Sequence, residues 1–270
     1  MSLAYAHPRV RRIRRLLERR SARRAERAFV AEGVEVVRTG ILAGVVPESL
    51  YVAAGATDAD AGLAEVVGLG HDVGARVFEL AAGVVERVGA TVTPQPLLGV
   101  FPMVDVPSVP EGAELVVVMA DVRDPGNAGT VLRSADASGA SAVVCAGGTV
   151  DPYNPKTVRA SAGSLFHVPL VLAGATATAL DTLGAAGLRR LGAVVTGGED
   201  YATVDWSVPT ALVLGNEAWG LPGGLPLDGR VGIAMAGRAE SLNVGMACAV
   251  LCFEALRQRR SAPRRSTMQR

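Results

Sequence analysis

The sequence predicts an α/β protein in two parts, a small N-terminal α/β layer followed by a larger domain built on a parallel sheet. Three observations carry that expectation. Six short apolar runs punctuate the chain after residue 113, at 115–119 (LVVVM), 142–145 (AVVC), 168–172 (VPLVL), 192–196 (GAVVT), 211–214 (ALVL) and 231–235 (VGIAM). Runs without polar alternation are strands covered on both faces, as in a parallel sheet flanked by helices. Residues 103–112 carry two prolines and little periodicity, which marks a linker. At 270 residues the chain is also long enough for two cores, and with only 4% aromatics these must be built mainly from Val, Leu and Ala.

The N-terminal elements follow in order. From Val10 to Phe29 the apolar residues Val10, Ile13, Leu16, Leu17, Ala25 and Ala28 suit one helical face, and arginines fill the other. A helix over 34–43 is closed by Gly44. A strand is expected at 50–53, a helix at 58–69, a strand at 76–79, a short helix at 81–88 and a last strand at 97–101. The resulting division is 1–106, 107–262 and a basic tail, 263–270, whose composition favours disorder.

Charge is distributed unevenly. Residues 1–40 hold 11 Arg against 4 Glu, and residues 257–270 hold 6 Arg and no acid, while the body between them has a balance of −12. Basic ends on an acidic body point to a polyanionic partner. Arg11, Arg12, Arg15, Arg19 and Arg23, all on the first helical stretch, are the candidate phosphate contacts.

Other classes fall away. No apolar run approaches the length of a membrane span, and the first residues lack the apolar core of a secretory signal. Cys145, Cys248 and Cys252 form neither a disulfide framework nor a zinc spacing. No metal is expected, and a reducing cytoplasm is the default location.

Three stretches carry chemistry. Residues 120–133 (ADVRDPGNAGTVLR) follow a strand and open a helix, at the carboxyl edge where open α/β sheets bind ligands. Asn127 can donate and accept there, and Arg133 has the fork that grips a phosphate. The stretch has neither a Walker ending nor GxGxxG, which argues against a dinucleotide-dependent oxidoreductase. Residues 214–222 (LGNEAWGLP) also follow a strand, with the Glu217 carboxylate and the Trp219 ring between two glycines. Residues 233–254 begin as an apolar strand, pass through Ser241 and Asn243, and become a helix from Val244 to about Leu256. Side chains of that kind cap a helix N-terminus, which also attracts anions.

Together and in this order, the three stretches resemble the motifs of the SpoU/TrmH branch of the SPOUT methyltransferases. The first matches through Asn127, Gly129 and Arg133 with Ser134-Ala135-Asp136 and Gly139-Ala140, the second through Gly215 to Leu221, and the third through Ile233 to Val244. Asn216, where the family often has Ser or Ala, and Ala234, where it commonly has Pro, depart from the pattern. The similarity spans residues 113 to about 260. The N-terminal part resembles, more weakly, the ribosomal-protein-like RNA-binding domain of rRNA-modifying members, through its Arg-rich helix and Phe29 to Gly33.

The resemblance implies methyl transfer from S-adenosylmethionine to a ribose 2′-hydroxyl in RNA, with 23S ribosomal RNA favoured. A transfer RNA substrate and a non-catalytic RNA-binding or ribosome-assembly module are the alternatives. It implies a trefoil-knotted C-terminal domain, an RNA substrate-binding domain before it, and a homodimer with each site completed across the interface. Catalytic roles fall to Arg133, Asn127, Glu217, Ser241 and Asn243. The cofactor contacts are Thr196, Gly197, Leu214, Gly215, Ile233, Met235 and Leu242.

Overall fold

The computed structural model describes residues 2–89 and 94–261. The basic tail therefore lies outside the described residues. In chain order the elements are α1 (Pro8–Glu18), α2 (Arg20–Glu26), β1 (Ala28–Glu32), α3 (Val34–Leu42), β2 (Ser49–Ala53), α4 (Ala56–Ala59), α5 (Ala61–Asp72), β3 (Arg76–Leu80), α6 (Val84–Val88) and β4 (Leu97–Pro102). There follow β5 (Asp105–Val106), β6 (Leu115–Ala120), α7 (Pro125–Ala137), β7 (Ala142–Ala146), α8 (Pro155–Ala160), a 3₁₀ turn (Ser164–Phe166), β8 (Leu170–Leu172) and α9 (Thr176–Ala185). The last are β9 (Arg189–Ala193), β10 (Glu199–Asp200), β11 (Thr210–Leu214), β12 (Gly229–Gly232) and α10 (Val244–Ser261). Two units form: Met1–Asp105 with Asp151–His167, and Val106–Val150 with Val168–Arg270. Residues 151–167 thus group with the first unit, whereas the sequence reading ran the second domain continuously from 107 to 262.

In the first unit four strands order as β1-β4-β2-β3, antiparallel except for the β2–β3 pair. The single helix expected over 10–29 is instead two helices and the start of a strand. The chain turns at Arg19, which has extended backbone angles, and at Arg27, whose φ is +49°. The break lets Arg23 fold back, so that its Nη1 donates to the Leu16 and Leu17 carbonyls at 2.7 and 3.2 Å. Those are carbonyls that the end of α1 leaves without helical partners. Its Nε and Nη2 donate to one Asp151 oxygen at 2.8 and 2.6 Å. Residues 151–167 also join the aromatic core, where the Tyr153 and Phe166 rings lie 4.9 and 5.8 Å from that of Phe29. Periodicity could not reveal this, because Arg23 and Phe29 lie more than a hundred residues away from the segment in sequence.

The second unit holds an eight-stranded sheet ordered β10-β12-β9-β11-β6-β7-β8-β5. The pairs from β10 through β8 are parallel. Strands β6, β7 and β11 are buried along their whole length, as their unbroken apolar runs predicted. After β6 the chain winds one way through β7 and β8, then returns to the other side of β6 for β9 and β11. Adjacent β6 and β11 therefore mark the switch in winding direction, the usual ligand crevice of such sheets. Leu214 is in register with Met119, so the loops after the two strands leave the sheet at one level.

Two expected strands are shifted. β9 ends at Ala193 and β12 at Gly232, so Thr196 and the stretch from Ile233 onward are irregular rather than extended in the sheet. The two chains pass too closely for side chains at the crossing: a Cβ on Gly198 would lie 2.7 Å from the Gly232 nitrogen. α10 runs beyond Leu256 to Ser261. Gln258 anchors its last turns, donating to the Val204 carbonyl at 3.0 Å and accepting from the Trp206 N–H at 2.9 Å.

Arg23→Ala would leave the Asp151 carboxylate buried and unpaired, a change that costs roughly 3–5 kcal/mol. Urea denaturation should show a loss of that order, while Arg20→Ala, at an exposed position, should change stability by less than about 0.5 kcal/mol. Equal effects would deny the pair its structural role.

Candidate active site

The loops after β6 and β11 and the entry to α10 converge on one set of hydrogen bonds. α7 is started by Asp124, whose carboxylate accepts from the Asn127 N–H at 2.8 Å, with Pro125 in the first turn. This fixes Asn127 at the sheet's carboxyl edge. Its Nδ2 donates to Glu217 Oε1 at 2.9 Å, and its Oδ1 accepts from Asn243 Nδ2 at 2.8 Å. Asn243 Oδ1 in turn accepts from the Gly245 N–H at 2.9 Å and the Met246 N–H at 3.4 Å, capping α10. Glu217 also takes the backbone N–H groups of Arg123 and Asp124 at 3.3 and 3.2 Å.

The polarity of this relay is dictated by chemistry. An ionised carboxylate only accepts, so the Asn127 amide must turn its NH₂ group to Glu217. Its oxygen then faces Asn243, which must present NH₂ to Asn127 and oxygen to the helix N-terminus. Partial burial pushes the Glu217 carboxyl up. The hydrogen bonds from Asn127 and from the backbone of Glu217, Asp124 and Arg123 outweigh that and hold it below its ordinary value.

Beside the relay lies a cavity of about 840 Å³. Asn127, Glu217, Ser241 and Asn243 of the expected catalytic set line it, as do Thr196, Leu214, Gly215, Ile233, Met235 and Leu242 of the expected cofactor set. Gly197 is not among its lining residues; its φ of +73° serves the turn beyond Thr196. Arg133 does not line it either. It sits exposed on α7, six residues and roughly 9 Å along the helix axis from Asn127.

The glycines of the β11 loop are required by the loop itself. A Cβ on Gly215 would collide with the backbone of Gly220, and Gly220 needs its positive φ of +71°. Sequence reasoning missed Thr149, whose Oγ1 accepts from the Asp121 N–H at 3.0 Å and donates to the Met119 and Ala146 carbonyls. The Gly147-Gly148 pair directly after β7 is the signal that marked this turn. Among the described residues no group of three His, Cys, Asp or Glu is placed to hold a metal.

On the first unit the candidate phosphate contacts separate. Arg11 and Arg19 are exposed. Arg12 binds Glu26 and Glu48 at 2.6 and 2.8 Å, and Arg15 binds Glu26 at 2.6 Å. Arg23, 3% exposed, is removed from the set, because its guanidinium is consumed by Asp151 and two carbonyls. Arg20 and Arg24, which the sequence reading did not choose, are exposed.

A family model described as the SpoU rRNA Methylase family matches residues 114–253, and one described as an MRM3-like substrate binding domain matches residues 7–99. The chain belongs to the SpoU rRNA methylase family. It is 32% identical to the 23S rRNA (guanosine(2553)-2′-O)-methyltransferase RlmP of Bacillus subtilis over 67% of this chain and 73% of that one. It resembles the crystal structure of an AdoMet-bound rRNA methyltransferase from Sinorhizobium meliloti with a TM-score of 0.82, at 33% identity and with 95% and 97% of the two chains covered. The SpoU methyltransferase AviRb from Streptomyces viridochromogenes, in complex with AdoMet, gives a TM-score of 0.82 at 28% identity, covering 95% and 100%. The fold of this SpoU member is thus the α/β SPOUT methyltransferase fold with an N-terminal substrate-binding domain.

Because the fold holds the Glu217 carboxyl below its ordinary value, its contribution to stability is full above the ordinary carboxylate range. It is lost as pH falls through the depressed folded value. Melting temperatures of the wild type and Glu217→Gln should therefore differ at neutral pH and converge in acid; a constant gap across the range would refute the relay's polarity.

Proposed function

We propose that this protein transfers a methyl group from S-adenosylmethionine to a ribose 2′-hydroxyl of ribosomal RNA, 23S RNA in particular. The observation that carries the reading is the Glu217–Asn127–Asn243 relay at the edge of a cavity large enough for the cofactor. At about 840 Å³ the cavity lies within the range of small-molecule sites. Its walls combine the apolar Leu214, Ile233, Met235 and Leu242 with loop backbone, which suits a ligand that has both a nucleoside and an aliphatic chain. When bound there, the cofactor supplies an electrophilic methyl group.

The residues of this chain prepare the acceptor. Glu217 and Asn127 hold each other and leave the polar edge of the cavity fixed before RNA arrives. Ser241 orients the ribose from the opposite loop. Arg133 acts as an electrostatic clamp on a phosphate and on the developing alkoxide, because a guanidinium is too weak an acid to serve as a base near neutrality. The exposed Arg11, Arg19, Arg20 and Arg24 supply phosphate contacts without base recognition.

Arg133 lies away from its own cavity, and a homodimer would bring it to the partner's. α10 supports that arrangement with an outward apolar row: Met246 is 60% and Phe253 48% exposed, with Val250 half-buried between them. The trefoil knot of the C-terminal domain and a cytoplasmic location, where ribosomal RNA is modified, belong to the same proposal.

The test uses labelled S-adenosylmethionine, bulk ribosomal RNA and transfer RNA, followed by alkaline hydrolysis. A 2′-O-methyl group removes the hydroxyl that alkali cleavage needs, so label should appear in alkali-resistant dinucleotides from ribosomal RNA. Label confined to mononucleotides would mean base methylation and overturn the mechanism; label only in transfer RNA would overturn the substrate. Arg133→Ala should lose roughly 10²–10³-fold in turnover while retaining cofactor affinity. Phe253→Asp should sediment as a monomer, and a dimer that survives it would reject α10 as the interface.

A further inference from the structure

Of the two tryptophans, one is used as tryptophans usually are. Trp206 is fully buried, with its Nε1 donating to the Tyr201 carbonyl at 2.9 Å. Trp219 is 59% exposed, yet it lines the cavity beside Glu217 and Asn127. An indole left that open forgoes much of its burial energy.

It is not carried on a slack loop. Asn216 and Gly220 exchange backbone hydrogen bonds at 2.9 and 3.0 Å, and Asn216 Oδ1 accepts from the Ala218 N–H at 2.8 Å. The turn thus presents the ring from a closed frame. The Arg123 guanidinium lies over that ring, 4.9 Å from its centroid. Asp121 pairs with the same guanidinium, a carboxylate oxygen lying 3.2 Å from Nη2.

Asp121 itself is in the left-handed region, with φ at +70°. Its N–H donates to Thr149 Oγ1 at 3.0 Å, and its carbonyl accepts from Asn216 Nδ2 at 2.9 Å. Any side chain at Gly148 would collide with its carboxylate. A non-glycine residue in this conformation persists only where its surroundings over-determine it, and such strain gathers at functional sites. Here three separate loops, after β6, β7 and β11, are spent on aiming one arginine onto one open indole.

Resting on the methyltransferase reading, we propose that Trp219 and Arg123 form the seat of the target nucleotide. The base, drawn out of its stack, lies on the indole, and Arg123 meets a flanking phosphate. Proteins that read single-stranded RNA receive splayed-out bases on aromatic side chains or guanidinium planes. An aromatic platform tolerates any base, so this seat supplies affinity and position, while sequence preference arises elsewhere.

The experiment compares the intact wild type with Trp219→Ala, Trp219→Phe and Arg123→Gln on an unmodified 23S ribosomal RNA transcript, alongside calorimetric binding of S-adenosylmethionine. Trp219→Ala should raise the KM for RNA by about tenfold or more, leave cofactor affinity within about twofold, and be largely rescued by Trp219→Phe. Wild-type tryptophan emission should be quenched by the transcript and that of Trp219→Phe should not, since buried Trp206 gives a constant background. Arg123→Gln should reduce the salt dependence of RNA binding by about one phosphate contact. Unchanged RNA kinetics in Trp219→Ala would overturn the seat. Loss of cofactor affinity in that variant would also overturn it, by assigning the ring to the cofactor wall. A wild type that binds cofactor but methylates no RNA would refute the underlying methyltransferase reading, and the seat with it.

Discussion

The Asn127 side chain has no freedom left. Its amide donates to Glu217 and accepts from Asn243, and each partner is fixed in turn, Glu217 by two backbone N–H groups and Asn243 by the N-terminus of α10. Asn127 stands 90 residues before Glu217 and 116 before Asn243, so three segments are tied at one point, beside the cavity. A relay whose every member is satisfied holds a geometry; one with a missing member leaves polar groups unpaired in partly buried surroundings. The chemistry proposed for the protein needs such pre-organisation, since a ribose hydroxyl must meet the methyl donor in one orientation.

The sheet explains why this tie falls where it does. β6 and β11 are neighbours with matched register, and the winding of the chain reverses between them, so their following loops must share a crevice. The cavity wall, the relay and the Trp219–Arg123 pair all draw on loops at that edge. Catalytic variety in such folds comes from the loops, while the buried strands supply the fixed level from which they start.

Much of this was legible in the sequence for a physical reason. Strands buried on both faces must be continuously apolar, so 115–119, 142–145 and 211–214 announced themselves. Glu217 and Asn243 were legible because each stands in a loop directly after a strand or before a helix, and Asn127 because it stands in the first turn of the helix that follows β6. What stayed hidden depended on partners distant in sequence. Arg23 looked like one more arginine on a basic helix face, and the distant Asp151, with the Leu16 and Leu17 carbonyls, makes it a buried structural residue. The early ends of β9 and β12 were masked because residues 194–196 and 233–235 are as apolar as a strand, although they wall a cavity instead. Arg133 was chosen by its motif alone, and it lies exposed on α7, outside the cavity lining.

A double-mutant cycle between Asn127→Ala and Asn243→Ala, read by denaturant unfolding and by S-adenosylmethionine affinity, tests the relay directly. If the relay ties the three segments together, the two losses should be strongly non-additive, with a coupling of about 0.5–3 kcal/mol. Losses that add to within about 0.5 kcal/mol would mean that the segments are held in place independently and that the relay does not tie them.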